Sequence, residues 1–204
     1  MDILLPIHIL AGSLALIFSA IAVSSAKGKK LHVFSGKAYV WCMAAIFFTA
    51  LPMAIISDNI FLLLIALFSF YLAFAGMRFA ANRQGIATNL DSFAIGIMLL
   101  SGISMWILSG LYFIDNNSQY IPLLLFGCVA TALGFTDFKS YQNKTAIGQQ
   151  RIARHLTNMM GGTISVITAV LVVNVSVEPL WIWWILPTVL ITPIIVWWNV
   201  QVLK

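Results

Sequence analysis

Residues 27–83 read KGKKLHVFSGKAYVWCMAAIFFTALPMAIISDNIFLLLIALFSFYLAFAGMRFAANR. Two apolar runs, each near the length of about 20 residues that crosses hydrocarbon as an α-helix, are joined only by residues 57–59. Lysines precede the first run and arginines end the second, whereas the link between the runs carries no base. The stretch therefore predicts an antiparallel pair of membrane helices whose basic ends lie on the same side.

The same alternation extends over the whole chain. All 11 Lys and Arg residues fall on alternate connections between apolar stretches, or on the ends of the stretches beside them. The predicted spans are residues 3–24, 34–56, 60–81, 93–113, 120–135, 156–174 and 180–200. The fifth is the shortest and contains Pro122, but a six-span chain would break the charge alternation. We therefore predict an all-α, polytopic integral membrane protein with seven transmembrane helices.

Charge and composition set the expected location. Bases mark cytoplasmic connections, so the N-terminus is predicted outside and the C-terminus cytoplasmic. With 61% apolar and 8% charged residues, the chain cannot cover a water-soluble surface, and a single transmembrane domain, 1–204, with the lipid bilayer as its partner is expected. The net charge of +5 follows from this topology and from anionic lipid, so no nucleic-acid partner is predicted.

The chain has three histidines, His8, His32 and His155. His8 is predicted near the outer end of helix 1, whereas the other two open helices 2 and 6 on the cytoplasmic side. A regular helix 1 places His8 roughly 20 Å or more from the other two, which excludes one metal ion bound by all three. His32 and His155 are the predicted metal ligands. His8 is a candidate ligand of a second centre, a proton group or an interfacial histidine.

Small and polar residues share a helix face with both cytoplasmic histidines. Spacings of three, four and seven residues align His32, Ser35, Gly36 and Tyr39 on helix 2, and His155, Asn158, Met159 and Gly162 on helix 6. Neutral imidazole nitrogens bind iron, and glycines let a flat macrocycle approach the backbone. The pattern predicts haem b in the cytoplasmic half of the bundle, with cofactor-binding residues His32, His155, Gly36, Tyr39, Asn158 and Arg78. The alternative is that these histidines only meet water and lipid phosphates.

Two further patterns concern packing between helices. Ionisable groups inside a membrane are costly unless they are paired or functional, so Asp91 and Asp137 are expected to pair with Arg78 and Arg154. Small residues permit close contact between helices, and glycines of this kind occur at Gly96, Gly102 and Gly110 in helix 4 and at Gly161 and Gly162 in helix 6.

Several of these residues recur in one combination. The chain has Lys27-Gly28-Lys29-Lys30-Leu31-His32 followed by Gly36 and Tyr39, with His8, Gly12, Ala15 and Leu16 before it and Arg154-His155-Leu156, Met159 and Val172-Val173-Asn174 after it. This combination resembles a bacterial family of multi-helix membrane proteins catalogued as domain of unknown function 2306. The resemblance covers helices 1, 2 and 6 well and the middle of the chain loosely. It implies a seven-helix fold and a signature of three histidines and the Lys-Gly segment, but no established reaction.

Three classes of function remain open from the sequence. The first is a haem-binding or quinone-reactive redox protein of the bacterial inner membrane that uses His32 and His155. The second is a transporter, channel or receptor for a small solute or protons, in which the histidines titrate; no lysine lies mid-membrane for a retinal Schiff base. The third is an accessory or assembly subunit of a membrane complex. No enzyme reaction is predicted.

Overall fold

The computed structural model describes residues 2–204, and within this range it has seven α-helices. The helices are α1 Leu4–Ser24, α2 Lys30–Ile56, α3 Ile60–Ala81, α4 Asn89–Ile114, α5 Tyr120–Gln142, α6 Gly148–Asn174 and α7 Trp181–Leu203. Each is long and apolar enough to cross a membrane. The predicted all-α fold with seven apolar helices is therefore confirmed, including the short fifth span.

Helices α4, α5 and α6 extend beyond the apolar stretches that predicted them. The predicted spans 120–135 and 156–174 leave residues 136–155 as a long link, but α5 continues to its end at residue 142 and α6 begins at Gly148, so the connection is only residues 143–147. Helix α4 begins at Asn89 because Thr88 and Asp91 form a capping box that satisfies backbone N–H groups at its start. Polar residues at these ends are thus part of the helices rather than of loops.

Helix α3 lies at the centre of the bundle. It packs against α2, α4 and α6, while α1 packs against α2, α5 against α4, and α7 against α6. Its side chains dominate the largest apolar cluster, where Phe61, Leu72 and Phe79 are almost fully buried. Because α3 has neighbours on several sides, it is the helix that can place polar groups of different helices near one another.

The connections divide the molecule into two ends. We call the basic end the one formed by residues 25–29, 82–88 and 143–147 together with Lys204, and the opposite end the one formed by residues 57–59, 115–119 and 175–180. At the basic end, the Lys27 ammonium lies 5.3 Å from the ring centroid of Trp198. This contact places the first connection beside the last turns of α7.

Candidate functional site

Two of the three histidines lie side by side near the basic end. His32, in the first turn of α2, and His155, in α6, have ring centroids 6.3 Å apart and ring planes at 84°. His8 is elsewhere: its Nδ1 atom lies 2.9 Å from Oγ1 of Thr49 on α2. Thr49 is 17 residues beyond His32 on the same helix, a rise of roughly 25 Å. The structure therefore brings His32 and His155 together and separates them from His8.

Backbone carbonyl groups of neighbouring helices fix both rings of the histidine pair. His32 Nδ1 lies 2.9 Å from the carbonyl oxygen of Ala22 on α1, and His155 Nδ1 lies 2.8 Å from that of Gly76 on α3. A carbonyl oxygen only accepts, so Nδ1 is the donor in each ring, and in the neutral ring Nε2 keeps its lone pair. Neither Nε2 atom has a hydrogen-bond partner among residues 2–204. The pair thus offers two free imidazole nitrogens.

The isolated histidine has a hydroxyl partner rather than a carbonyl group. The Thr49 hydroxyl oxygen lies 2.9 Å from His8 Nδ1, 2.8 Å from the carbonyl oxygen of Ala45 and 2.9 Å from that of Ile46. A hydroxyl can donate or accept, so this contact is compatible with either neutral tautomer of His8. His8 is thus hydrogen-bonded to α2 at the opposite end of the bundle from the histidine pair.

The glycines near the histidine pair differ in how much space they leave. A Cβ atom at Gly36, one turn after His32, would have no neighbouring atom within 4 Å. A Cβ atom at Gly162, on α6, would lie 2.6 Å from the hydroxyl oxygen of Tyr39. Tyr39 is 1% exposed, and its hydroxyl has no hydrogen-bond partner in the described part of the chain. The room beside the pair is therefore on the Gly36 side, since Tyr39 fills the space at Gly162.

A buried ion pair lies on the same helix as His155. Asp137, on α5, is fully buried and accepts from Arg154 Nε at 2.7 Å and from the Tyr71 hydroxyl at 2.7 Å. The Asn158 side-chain amide is 3.3 Å from the same carboxylate. The predicted pairing of Asp137 with Arg154 is confirmed, and the network joins α3, α5 and α6.

The predicted pairing of Arg78 with Asp91 is also confirmed. Arg78 donates through Nε and Nη2 to the two carboxylate oxygens, at 2.6 and 2.8 Å. Its remaining side-chain partner is the Thr88 hydroxyl at 3.2 Å. Arg78 thus links the end of α3 to the start of α4. Its side-chain hydrogen bonds go to Asp91 and Thr88 rather than to either histidine. Of the six predicted cofactor-binding residues, Arg78 and Asn158 are engaged in ion-pair networks.

The residues that orient the histidines were not found by sequence reasoning. Ala22 and Gly76 act through backbone oxygens, which every residue carries, so no residue type marks them. Thr49 had no signal beyond being a polar residue inside an apolar run.

The seven apolar helices and their packing define a multi-pass membrane protein. Compared with known protein families, with curated proteins and with solved structures, the chain matches none. The resemblance to domain of unknown function 2306 stays a prediction that rests on the motifs in helices 1, 2 and 6.

Proposed function

We propose that this chain is a redox protein of the bacterial inner membrane that binds haem b through His32 and His155. The observation that carries the proposal is the histidine pair, in which two Nε2 lone pairs come from different helices and both Nδ1–H groups are held by carbonyl oxygens. Histidines that bind metals commonly donate their other N–H to such a carbonyl, which fixes the ring orientation. Both histidines of the pair already donate Nδ1–H to a backbone carbonyl oxygen.

The ring centroids of the pair are 6.3 Å apart, which is close enough for a nitrogen of each ring to reach the same metal atom at about 2 Å. A bare zinc ion takes three or four protein ligands, and residues 2–204 contain no group of three His, Cys, Asp or Glu side chains able to hold a metal ion. Haem needs only axial ligands from the protein, so two histidines suffice.

The chain's own residues have distinct tasks in this proposal. His32 and His155 would hold the iron, the Ala22 and Gly76 carbonyl groups would set the tautomer of the two rings, and Gly36 would leave space for the macrocycle beside α2. Haem would supply one-electron transfer, with quinone or another membrane protein as the redox partner. The N-terminus would be outside and the basic end cytoplasmic, because bases concentrate on cytoplasmic connections.

The test is a visible spectrum of the protein purified in mild detergent from cells with an adequate haem supply. We expect a Soret band that shifts, with sharp longer-wavelength bands, on reduction with dithionite. His32→Ala and His155→Ala should each remove these bands, whereas His8→Ala should keep them because His8 lies at the opposite end. A colourless wild-type protein that also fails to take up added hemin would refute the proposal.

A second variant tests the space beside His32. Gly36→Leu should leave the helical fold intact, since nothing lies within 4 Å of a Cβ at this position. If the macrocycle uses that space, overpacking by about 1–3 kcal/mol should weaken hemin binding roughly fivefold to 150-fold. Gly12→Leu on α1 is the matched control, because its Cβ also meets nothing within 4 Å. Equal hemin affinity in the two variants would place the macrocycle elsewhere.

A proton or small-solute pathway is the second candidate function, and the buried polar groups favour it. Asn158 Oδ1 and the Tyr39 hydroxyl are both buried without partners in the described range. The Asn158 side-chain amide lies 3.3 Å from the Asp137 carboxylate, whereas the Tyr39 hydroxyl lies beside Gly162 on the same helix as Asn158. Unsatisfied polar atoms inside a membrane bundle are costly, and such groups commonly line proton or solute routes. Proton flux in liposomes that is lost in Asp137→Asn, from a colourless protein, would favour this function. An accessory subunit would show neither haem absorption nor proton flux.

A further inference from the structure

Lys37 is a cation on an apolar helix with no partner in the protein. It lies two turns into α2, roughly 10 Å along the helix axis from Lys30 at its start. Its side chain is exposed, and none of the salt bridges or hydrogen bonds among residues 2–204 involves its ammonium group. A charge at this depth is costly unless it reaches water or an anion. An anionic group outside the chain would satisfy this charge.

Lys37 lines a surface hollow that combines cationic and apolar side chains. The hollow has a volume of about 380 Å³ and is lined by Gly28, Lys30, Val33, Phe34 and Lys37. Its two cations come from one face of α2, since residues seven apart align on a helix. Val33 and Phe34 lie between the two lysines in the chain, and their exposed fractions are 44% and 64%. No carboxylate lines the hollow, so its charge is wholly positive.

The neighbouring Lys27 shows how a lysine at this end is held when the protein supplies its partner. Lys27 Nζ donates to the carbonyl oxygens of Ala22 and Val23 and lies over the Trp198 ring. Lys30 and Lys37 have no such arrangement among the described residues. Their ammonium groups are thus free to bind a ligand.

We propose that this hollow binds the phosphate headgroup of an anionic phospholipid. The Lys30 and Lys37 ammonium groups would flank the phosphate, while Phe34 and Val33 would contact the upper part of the acyl chains. Charge complementarity supports an anion, and the apolar side chains on the same face favour a lipid over a small soluble phosphate. None of the lining residues is a histidine of the pair or Gly36, and lipid binding is measured without haem, so this proposal is tested separately from haem binding.

Native mass spectrometry of the detergent-purified full chain tests this proposal. Phosphatidylglycerol should bind more tightly than phosphatidylcholine, and Lys30→Gln/Lys37→Gln should weaken its binding by about fivefold per lysine, roughly 25-fold for the pair. Lys30→Arg/Lys37→Arg should retain binding, because the charge is kept. The matched control is Lys139→Gln/Lys144→Gln, which removes two charges from the same end of the bundle and should change affinity less than twofold.

Three results would overturn the proposal. The first is equal affinity for the anionic and the zwitterionic lipid, and the second is equal loss of binding in the Lys30/Lys37 and Lys139/Lys144 double variants. The third is displacement of the lipid by inorganic phosphate alone, which would identify a site for a soluble anion. The exposed lysines carry little packing, so a helical circular dichroism spectrum should confirm that every variant is folded.

Discussion

Replacing Arg154 with leucine is expected to lower the free energy of unfolding by about 3–5 kcal/mol, the usual cost of leaving one partner of a buried ion pair uncompensated. Arg154 is only 13% exposed at its side chain, and Asp137 is not exposed at all. Without the guanidinium, the carboxylate keeps only the hydrogen bonds from Tyr71 and Asn158. Unfolding followed by circular dichroism in mixed micelles at increasing denaturing detergent measures the change.

Two controls separate the ion pair from a general effect of removing a base. Arg83→Leu changes an exposed residue of a basic-end connection and should alter stability by less than about 0.5 kcal/mol. Arg154→Leu/Asp137→Leu should lose less stability than Arg154→Leu alone, because no unpaired charge remains buried. If Arg154→Leu and Arg83→Leu unfold at the same detergent fraction, the pair does not stabilise the bundle.

Replacing Gly102 with isoleucine is expected to cost about 1–3 kcal/mol by overpacking the contact between α4 and α5. A Cβ atom there would lie 2.7 Å from Thr131 Cγ2, 3.1 Å from the Thr131 backbone nitrogen and 3.1 Å from Ala130 Cβ. A backbone atom cannot adopt another rotamer as a side chain can, so α4 and α5 must move apart. The same micelle unfolding experiment measures the loss.

Gly96→Ile is the matched control for this substitution, since Gly96 lies on the same helix and its Cβ would meet no atom within 4 Å. It should leave stability unchanged or slightly raise it, because glycine is a poor helix former. Equal midpoints for Gly102→Ile and Gly96→Ile would show that α4 and α5 do not depend on close contact at Gly102.

The number and order of the helices could be predicted because apolar length and basic connections are local properties of the sequence. The residues at which the helices begin and end could not be predicted in this way. The apolar stretch of helix 5 stops at residue 135, before Asp137, because a charge lowers hydropathy. The Asp137 carboxylate is nevertheless paired with Arg154 on another helix, and α5 continues to residue 142. Partners distant in the chain therefore allow polar residues to remain in a helix beyond its apolar stretch.

The candidate site was predictable in its residue types but not in its geometry. Two histidines near the same end of the bundle could be found from the sequence, whereas their ring separation and the Ala22 and Gly76 carbonyl partners depend on how α1, α3 and α6 pack. The contacts of the glycines also depend on tertiary packing and could not be predicted from the sequence. Sequence spacing gave Gly96 and Gly102 equal weight, but only Gly102 meets a neighbouring helix, because which face contacts α5 is decided by tertiary packing.

The hydrogen bond that orients His155 also has a consequence for the order of events during synthesis. It joins His155 to the carbonyl oxygen of Gly76, 79 residues earlier in the chain. Chains emerge N-terminus first, so α1, α2 and α3 are made before α6 leaves the ribosome. Until then His32 has no second imidazole beside it. Any ligand that requires both rings can be loaded only after the sixth helix has joined the bundle, which makes loading a late step in biogenesis.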